Sequence, residues 1–421
     1  MSIDAEQYLA DLEPVGWRMG LERMEALCAR LGNPERTYRT LHVVGTNGKT
    51  SVTQMTVALL ESAGMRAGAC VSPHTSHWRE RVRIGNEVVD AAAFDRAAET
   101  VAREIAELEP TFDAGARITQ FEAAIAISFV ALREAGVEIA VVEAGLGGRL
   151  DATNVIRSEA TALTSVALDH TEWLGDTVEA IATEKLAVLE PHTALVLGAV
   201  PAAVRELARE HAAALHARVV EADEPPPSAL PDGFGPYLRR NAGVALELAA
   251  LALGEPIEPA SARAALGAIS LGGRLELAAA TSDMPATIFD AAHNAEGAEA
   301  LAEALRALDR GPVALCISVL ADKDAAAIAA ALAPVADAVV CTSADPGPAM
   351  GRPGAVALAP VELARHFARA GIAALVEPES RLACQRALML AAERDGLAVF
   401  AGSHYLLRHA WTARRDPSSF R

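Results

Sequence analysis

The chain has 421 residues, which is long enough for two or three domains, because a typical domain contains about 150 residues. Its composition is 52% hydrophobic and 22% charged, which excludes a disordered or collagen-like protein. The formal net charge of −18 disfavours phosphate backbones and anionic lipid surfaces as partners. We therefore expect neither nucleic acid nor a membrane to bind, and an anionic ligand would need a local cationic or metal-bearing pocket.

The cysteines and the N-terminal segment bear on the cellular compartment. Five cysteines are widely scattered without a C-x-x-C pair, so we expect buried free thiols rather than a disulfide framework or a zinc site. The first residues are acidic and lack the basic and apolar regions of a secretory signal. No run of 18 apolar residues is present. These features together predict a cytoplasmic protein.

Apolar runs alternate with Ala-, Leu- and Glu-rich stretches through the first part of the chain. Near-continuous apolar runs are typical of strands that are covered by helices on both faces. The runs predict strands at residues 41–44, 67–71, 139–143, 161–168 and 194–197. The stretches between and after them predict helices at residues 49–63, 91–108, 119–135, 239–252 and 259–269. The pattern predicts an α/β domain with a central, mostly parallel sheet.

The alternation is interrupted at two places. Residues 221–236 concentrate Pro, Gly and acidic residues and predict a surface loop. Gly272 and Gly273 break the pattern more sharply, and we place the domain boundary there, which gives domains 1–271 and 272–421. Alternation then resumes with about five strand-like runs, which predicts a smaller, Rossmann-like α/β domain.

The most informative local pattern is a predicted strand that leads through GTNGKTS, residues 45–51, into a helix. Backbone N–H groups of such a loop bind phosphate oxygens, Lys49 adds a positive charge, and a hydroxyl of Thr50 or Ser51 is suited to Mg²⁺. Position 43 is Val, so only the G-K-[ST] half of the phosphate-loop motif matches. The alternative is a glycine-containing turn with a solvated lysine.

Two further clusters follow predicted strands. Glu143 ends one strand and enters a Gly-rich turn, and Asp169-His170 follow another, with Lys185 in the next helix. Carboxyl ends of parallel strands meet at one edge of a sheet, where ligands bind, so we expect a magnesium nucleotide site there. The alternatives are an exposed strand-end acid for Glu143, a structural histidine for His170 and a surface helix residue for Lys185.

The order of these motifs resembles the dihydrofolate synthase and folylpolyglutamate synthase family of the Mur ligase superfamily. The blocks that carry the resemblance are GTNGKTS, SPH, TQFEA, VEAGLGGRLDATN, LDHTEWLGDTVEAIATEK, GRLEL, FDAAHN and GSHY, which span residues 45–405. The resemblance implies an N-terminal P-loop-type ATPase domain, a smaller C-terminal Rossmann-like domain and a monomeric protein. One departure is Thr50, which leaves open whether its hydroxyl or that of Ser51 meets Mg²⁺.

The resemblance also implies roles for particular residues. The implied catalytic residues are Lys49, Glu143, His170 and Lys185. The implied ATP-binding residues are Thr46, Asn47, Gly48, Lys49, Thr50, Ser51, Asn241, Arg274, Asp290 and His293. The implied metal ligands are Ser51, Ser72, Glu143, His170 and Lys185, with two Mg²⁺ ions and a CO₂-derived carbamate on Lys185. The implied substrate-binding residues are Thr119, Leu150, Asp151, Ala152 and Ser403.

The implied reaction is ATP-dependent formation of an amide between L-glutamate and dihydropteroate, a reduced folate, or both. It would proceed through an acyl phosphate, because a carboxylate resists attack by an amine until it is activated. Two alternatives stay open. One is a ligase that acts on another pterin-like or aromatic carboxylate, and the other is a nucleotide-binding regulator that has lost ligase activity.

Overall fold

The computed structural model describes residues 3–12, 20–112, 116–308, 311–344 and 355–415. The chain divides into two compact units. The first contains Met1–Asp232 and Leu238–Ile269, and the second contains Gly233–Tyr237 and Ser270–Arg421. These units differ from the bounds 1–271 and 272–421 mainly in the short segment 233–237, which groups with the second unit.

The first unit is built from alternating helices and strands, as its apolar pattern predicts. Its strands are β1 (Arg39–Val44), β2 (Ala67–Cys70), β3 (Val82–Ile84), β4 (Glu87–Val88), β5 (Ile139–Glu143), β6 (Ala160–Leu163), β7 (Ala194–Leu197) and β8 (Arg218–Glu221). Its helices are α1 (Ala5–Asp11), α2 (Glu22–Arg30), α3 (Lys49–Ser62), α4 (Ala91–Leu108), α5 (Gln120–Glu134), α6 (Thr171–Leu174), α7 (Val178–Leu186), α8 (Ala202–Ala214), α9 (Pro236–Leu253) and α10 (Pro259–Gly267). Helix α9 begins in the segment that groups with the second unit.

These strands form an eight-stranded sheet in the order β4-β3-β2-β5-β1-β6-β7-β8. The strands β2-β5-β1-β6-β7-β8 pair in parallel. Strand β3 pairs antiparallel with β2, and β4 pairs antiparallel with β3. Strand β1 is central, with β5 on one side and β6 on the other. The chain leaves β1 toward β2, beyond β5, whereas β6 lies on the opposite side. The carboxyl end of β1 is therefore a switch point of the topology, where open α/β sheets bind ligands.

Two apolar clusters pack against this sheet. One packs α1, α2, α4 and α5 against the sheet around Leu27, Val101 and Phe129. The other packs α7 and α8 around Ile181, Leu186 and Val204. Burial on both faces explains why β5, β6 and β7 have few polar residues, as the sequence predicted.

The second unit is a smaller α/β domain, as predicted. Its strands are β9 (Glu276–Ala278), β10 (Ala286–Phe289), β11 (Val313–Ile317), β12 (Ala338–Ser343), β13 (Ala374–Glu379) and β14 (Leu397–Ala401). Its helices are α11 (Ala295–Leu308), α12 (Ala325–Leu332), α13 (Pro360–Arg369), α14 (Ser380–Glu393) and α15 (His404–Arg415). The sheet order is β13-β12-β11-β14-β10-β9, and only the β9–β10 pair is antiparallel.

Two expectations about local structure have clear outcomes. The strand predicted over 161–168 ends at Leu163, so its last part is wrong, and Leu168 is exposed in a loop. The reason is that Thr164 and Ser165 leave the sheet to form hydrogen bonds with the loop after β1. All five cysteines are buried and free, as expected. No helix in the described parts of the chain combines the length and apolarity needed to cross a bilayer.

Candidate active site

Glycine is required at both ends of the loop between β1 and α3 because of close contacts. A Cβ atom at Gly45 would lie 1.9 Å from Thr164 Oγ1. Gly48 has a φ of +86° and precedes α3, and a Cβ there would lie 2.6 Å from Asn241 Oδ1. Gly48 also supplies no capping side chain to the first turn of α3, and that turn contains no acidic residue. This loop and helix terminus therefore have the features of an anion-binding site.

The segment after β6 fixes the backbone of the same loop. Thr46 N donates to Ser165 O at 2.8 Å, and Asn47 N donates to Ser165 Oγ at 3.0 Å. Thr164 Oγ1 donates to Asn47 O at 2.6 Å. The hydrogen bonds hold two predicted ATP-binding residues, Thr46 and Asn47, in one conformation. Such a loop is preorganised for a ligand.

Two predicted catalytic lysines converge on one carbonyl oxygen of this loop. Lys49 Nζ donates to Gly45 O at 3.0 Å and to Thr46 O at 3.1 Å. Lys185 Nζ, on α7, donates to the same Gly45 O at 2.9 Å, and the residue is only 4% exposed. Two cations on one oxygen concentrate positive charge at this edge of the sheet. An anion at this position offsets their mutual repulsion.

Glu143 is a buried carboxylate that connects the loop region to the SPH segment. It ends β5 and is 2% exposed. Its Oε1 accepts from Thr50 Oγ1 at 3.0 Å, and its Oε2 accepts from Ser72 N at 3.1 Å. Ser51 Oγ is buried and has no hydrogen-bond partner among the described residues. The structure thus places the hydroxyl of Thr50, rather than that of Ser51, beside Glu143.

His170 stands close in sequence to a segment that contacts the loop after β1. Ala167 N donates to Thr46 Oγ1 at 3.1 Å, three residues before His170. His170 adopts a φ of +52° where α6 begins, and its Nε2 lies 3.9 Å from Asp169 Oδ1. The left-handed conformation turns the chain sharply between the loop and the helix.

The donor set here suits a hard divalent ion better than a transition metal. Within the residues that the structure describes, no group of three His, Cys, Asp or Glu side chains encloses a metal position. Glu143 and His170 are the two such residues in the predicted set, and the others are hydroxyl groups and a lysine. Mg²⁺ prefers oxygen ligands and retains several waters, so it does not require a cage made only of protein groups.

Asp151, one of the predicted substrate-binding residues, is held rigidly near this edge. It is 6% exposed, and its carboxylate accepts from Leu146 N at 2.8 Å, Thr153 N at 3.0 Å and Thr153 Oγ1 at 2.6 Å. Burial raises its pKa, while these hydrogen bonds act in the opposite direction. Leu150 beside it is 40% exposed, and Ala152 is buried in the following 3-10 turn.

Thr119, another predicted substrate-binding residue, begins α5 in a capping box. Its Oγ1 accepts from Glu122 N at 3.1 Å, and Glu122 Oε2 accepts from Thr119 N at 2.7 Å. Glu122 also forms a 2.9 Å ion pair with Arg23. Thr119 therefore has an evident structural role as a helix cap.

Sequence reasoning missed an aromatic and cationic cluster beside these residues. Arg81 is 6% exposed, and its Nε donates to His74 Nδ1 at 2.9 Å. Its guanidinium carbon lies 4.6 Å from the ring centroid of Trp78 and 5.9 Å from that of Phe121. A Cβ at Gly145 would lie 2.5 Å from Phe121 Cζ, so Phe121 packs directly on the turn after Glu143. Phe121 could have been found from its position in the TQFEA block, but no spacing indicates Arg81.

In the second unit, Asp290 is the centre of a buried hydrogen-bond network. It accepts from Tyr237 Oη at 2.5 Å, Leu275 N at 2.8 Å and Ala292 N at 2.9 Å. Burial raises the pKa of Asp290, and burial together with the Asp290 charge raises that of Tyr237 well above its usual value. Arg274 lies close enough to counteract both shifts. Tyr237 was also missed, because it stands 53 residues from Asp290 in the chain.

Two other predicted residues lie in the second unit. His293 Nδ1 is 2.8 Å from Ala291 O, and its ring centroid is 5.8 Å from that of His404. Ser403 is buried, and its Oγ accepts from Tyr405 N at 3.2 Å. The predicted ATP-binding residues are thus divided between the units, with Asn241 in the first and Arg274, Asp290 and His293 in the second.

Comparison with known proteins gives consistent matches over most of the chain. Residues 43–221 match the Mur ligase middle domain, and residues 273–404 match the Mur ligase, glutamate ligase domain. The dihydrofolate synthase/folylpolyglutamate synthase of Mycobacterium tuberculosis is 32% identical over 361 residues, which cover 76% of this chain and 74% of the relative.

Solved structures match over a larger share of the chain. The folylpolyglutamate synthase of Mycobacterium tuberculosis, complexed with ADP and AMPPCP, superposes with a TM-score of 0.84 at 31% identity, covering 95% of this chain and 96% of that one. A bifunctional folylpolyglutamate synthase/dihydrofolate synthase with Mn, AMPPNP and L-glutamate bound has a TM-score of 0.83 at 27% identity, and 99% of each chain is covered.

Proposed function

The chain belongs to the dihydrofolate synthase/folylpolyglutamate synthase family of ATP-dependent Mur ligases, and we propose that it joins L-glutamate to dihydropteroate, to a reduced folate, or to both. The observation that carries the proposal is the convergence of Lys49 and Lys185 on Gly45 O, beside the buried Glu143 with Thr50 and Ser72. Lys49 supplies positive charge, and Glu143, Thr50 and Ser72 supply oxygen ligands, both of which phosphoryl transfer requires.

The reaction proceeds in two balanced steps. A carboxylate oxygen of the pteroate or folate attacks the γ-phosphorus of ATP, which forms an acyl phosphate and releases ADP. The amine of L-glutamate then attacks the acyl carbon, the amide C–N bond forms, and phosphate leaves as the amine loses a proton. In the first step Lys49 turns from the Gly45 and Thr46 carbonyls to the phosphate oxygens, where its charge stabilises the transferring group.

We assign the divalent metal to the cluster around Glu143. Glu143, Ser72 and His170 supply ligands, and the contact between Thr50 Oγ1 and Glu143 favours Thr50 over Ser51 as the hydroxyl ligand. A metal held by these residues would neutralise charge on the phosphoryl group and orient it. We propose two such ions, with Lys185 as a carbamate ligand. Its ammonium first loses a proton, the neutral nitrogen then bonds to the carbon of CO₂ and releases a second proton, and the resulting anion would suit Mg²⁺ as the ammonium does not.

The remaining site residues divide by substrate. Thr46, Asn47, Gly48 and Asn241 in the first unit, and Arg274, Asp290 and His293 in the second, are proposed to contact ATP. Thr119, Leu150, Asp151, Ala152 and Ser403 are proposed to contact or shape the site of the pteroate or folate. Three expectations stay predictions: a cytoplasmic location, a monomeric state, and no nucleic-acid or membrane partner. Light scattering on the purified protein tests the monomeric state.

The decisive experiment measures glutamate-dependent release of phosphate from ATP over a panel of pteroates and reduced folates. The parent protein should release phosphate with at least one member, and the pattern distinguishes dihydrofolate synthase activity from folylpolyglutamate synthase activity. Lys49→Ala should lower the rate at least a hundredfold while circular dichroism stays unchanged, because this lysine serves the ligand and not the core. Absence of glutamate-dependent release from the parent over the whole panel, or a rate within threefold of the parent in Lys49→Ala, would contradict the proposal.

A further inference from the structure

A buried chain of hydrogen bonds connects Asp151 with the central strand of the first sheet. Thr153 Oγ1 lies 2.6 Å from Asp151 Oδ1 and 3.0 Å from His42 Nε2. His42 belongs to β1 and is 1% exposed, and Thr153 is fully buried. The histidine is 111 residues from Thr153 in sequence, so this contact exists only because the turn after β5 folds back over β1.

The direction of each hydrogen bond follows from the donors available. Asp151 accepts backbone N–H groups at both oxygens, from Thr153 N at Oδ1 and from Leu146 N at Oδ2, as an ionised carboxylate does. The Thr153 hydroxyl has one hydrogen, which it donates to Asp151 Oδ1. It must then accept from His42, so the histidine carries its proton on Nε2.

His42 can act as a constant hydrogen-bond donor to Thr153 because its charge state does not change. Burial lowers the pKa of His42 to about 3, so the ring stays neutral over the working range of pH. A neutral imidazole with a fixed tautomer donates one hydrogen bond in one direction. The strand holds the ring in place, because β1 is paired on both sides, with Val142 and Thr161 opposite His42.

We propose that His42 is a positioning residue for the pteroate or folate substrate, which acts through Thr153 to hold the carboxylate of Asp151 in its binding orientation. The inference rests on the proposed function, in which Asp151 contacts that substrate. His42 touches no substrate itself. Its loss frees the Thr153 hydroxyl to rotate, and Asp151 then loses a fixed hydrogen bond before the substrate arrives.

The test separates positioning from general stability by measuring KM for each of the three substrates. Thr153→Val removes the hydroxyl with little change in shape, and His42→Leu removes the donor. Each should raise KM for the pteroate or folate about tenfold, with KM for ATP and for L-glutamate within twofold of the parent. The double variant should be no worse than Thr153→Val alone, because both changes break one chain. Thr153→Ser and His42→Gln, which keep the donors, should restore much of the affinity.

Thr161→Val is the matched control. Thr161 is a fully buried threonine on β6, directly opposite His42, and its hydroxyl oxygen lies 3.4 Å from Ser158 Oγ. It should leave all three KM values unchanged. If His42→Leu does not fold, Thr153→Val decides the question alone. Parental KM values in Thr153→Val, or an equal rise for all three substrates, would overturn the positioning role while leaving the proposed function intact. A parent that is inactive with every pteroate and folate would overturn both.

Discussion

The buried His42 predicts that acid destabilises the first unit by a calculable amount. Burial lowers its pKa from 6.5 to about 3, so the folded protein leaves the ring neutral where the unfolded chain binds a proton. The unfolded state therefore gains protons, and stability is lost, as pH falls from about 6.5 toward 3. Each pH unit in that window costs about 1.4 kcal/mol, so a change from pH 8 to pH 4 should remove about 3 kcal/mol.

The measurement compares the parent with His42→Gln, which keeps an amide donor but cannot titrate. Urea-dependent hydrogen exchange of peptides from β1 and β5 reports the opening free energy of the first unit without interference from the second. Other titrating groups are common to both proteins, so the difference between the two pH dependences isolates His42. The variant should lose about 3 kcal/mol less than the parent between pH 8 and pH 4.

Thr161→Val serves as the control, because it alters a buried polar residue on the neighbouring strand without removing a titratable group. It should change the free energy of unfolding equally at every pH and so keep the parental slope. Equal losses in the parent and in His42→Gln would refute the reasoning, since they would mean that the ring becomes protonated in the folded state.

Three further predictions test the site itself. Glu143→Gln and His170→Ala should each raise the Mg²⁺ concentration at half-maximal rate, and the double variant should be non-additive because both residues serve one metal cluster; unchanged metal dependence in both would make them structural. Arg274→Ala and Asp290→Ala should weaken binding of ATP more than binding of the pteroate or folate, as titration calorimetry of each ligand would show. A larger effect on the pteroate or folate would mean that the units have been assigned to the wrong substrates. Lys185 should give a carbamate NMR signal with ¹³C-bicarbonate that is absent from Lys185→Arg, and Lys185→Ala should lose activity that small carboxylates partly restore. An unmodified amine in the active, metal-bound enzyme would exclude the carbamate.

Local patterns predicted the secondary structure well where one physical signal dominated. The strand over 139–143 and the helix over 91–108 have the predicted bounds, because an apolar run or a block of helix-forming residues ends there at a clear break. The segment 161–168 shows the opposite case. Its apolar residues continue past Leu163, but hydrogen bonds from Thr164 and Ser165 to the loop after β1 draw the chain out of the sheet.

The sequence by itself determined the α/β class, the strand–loop–helix around Lys49 and the family, because these depend on short-range periodicity and on ordered motifs. It also predicted that Glu143 would lie at the edge of a sheet. Only the tertiary structure decided which side chains meet there. Lys185 reaches Gly45 across 140 residues, and His42 reaches Thr153 across 111. Such contacts depend on strand order and on the path of the connections, which set distances in space that no spacing along the chain encodes.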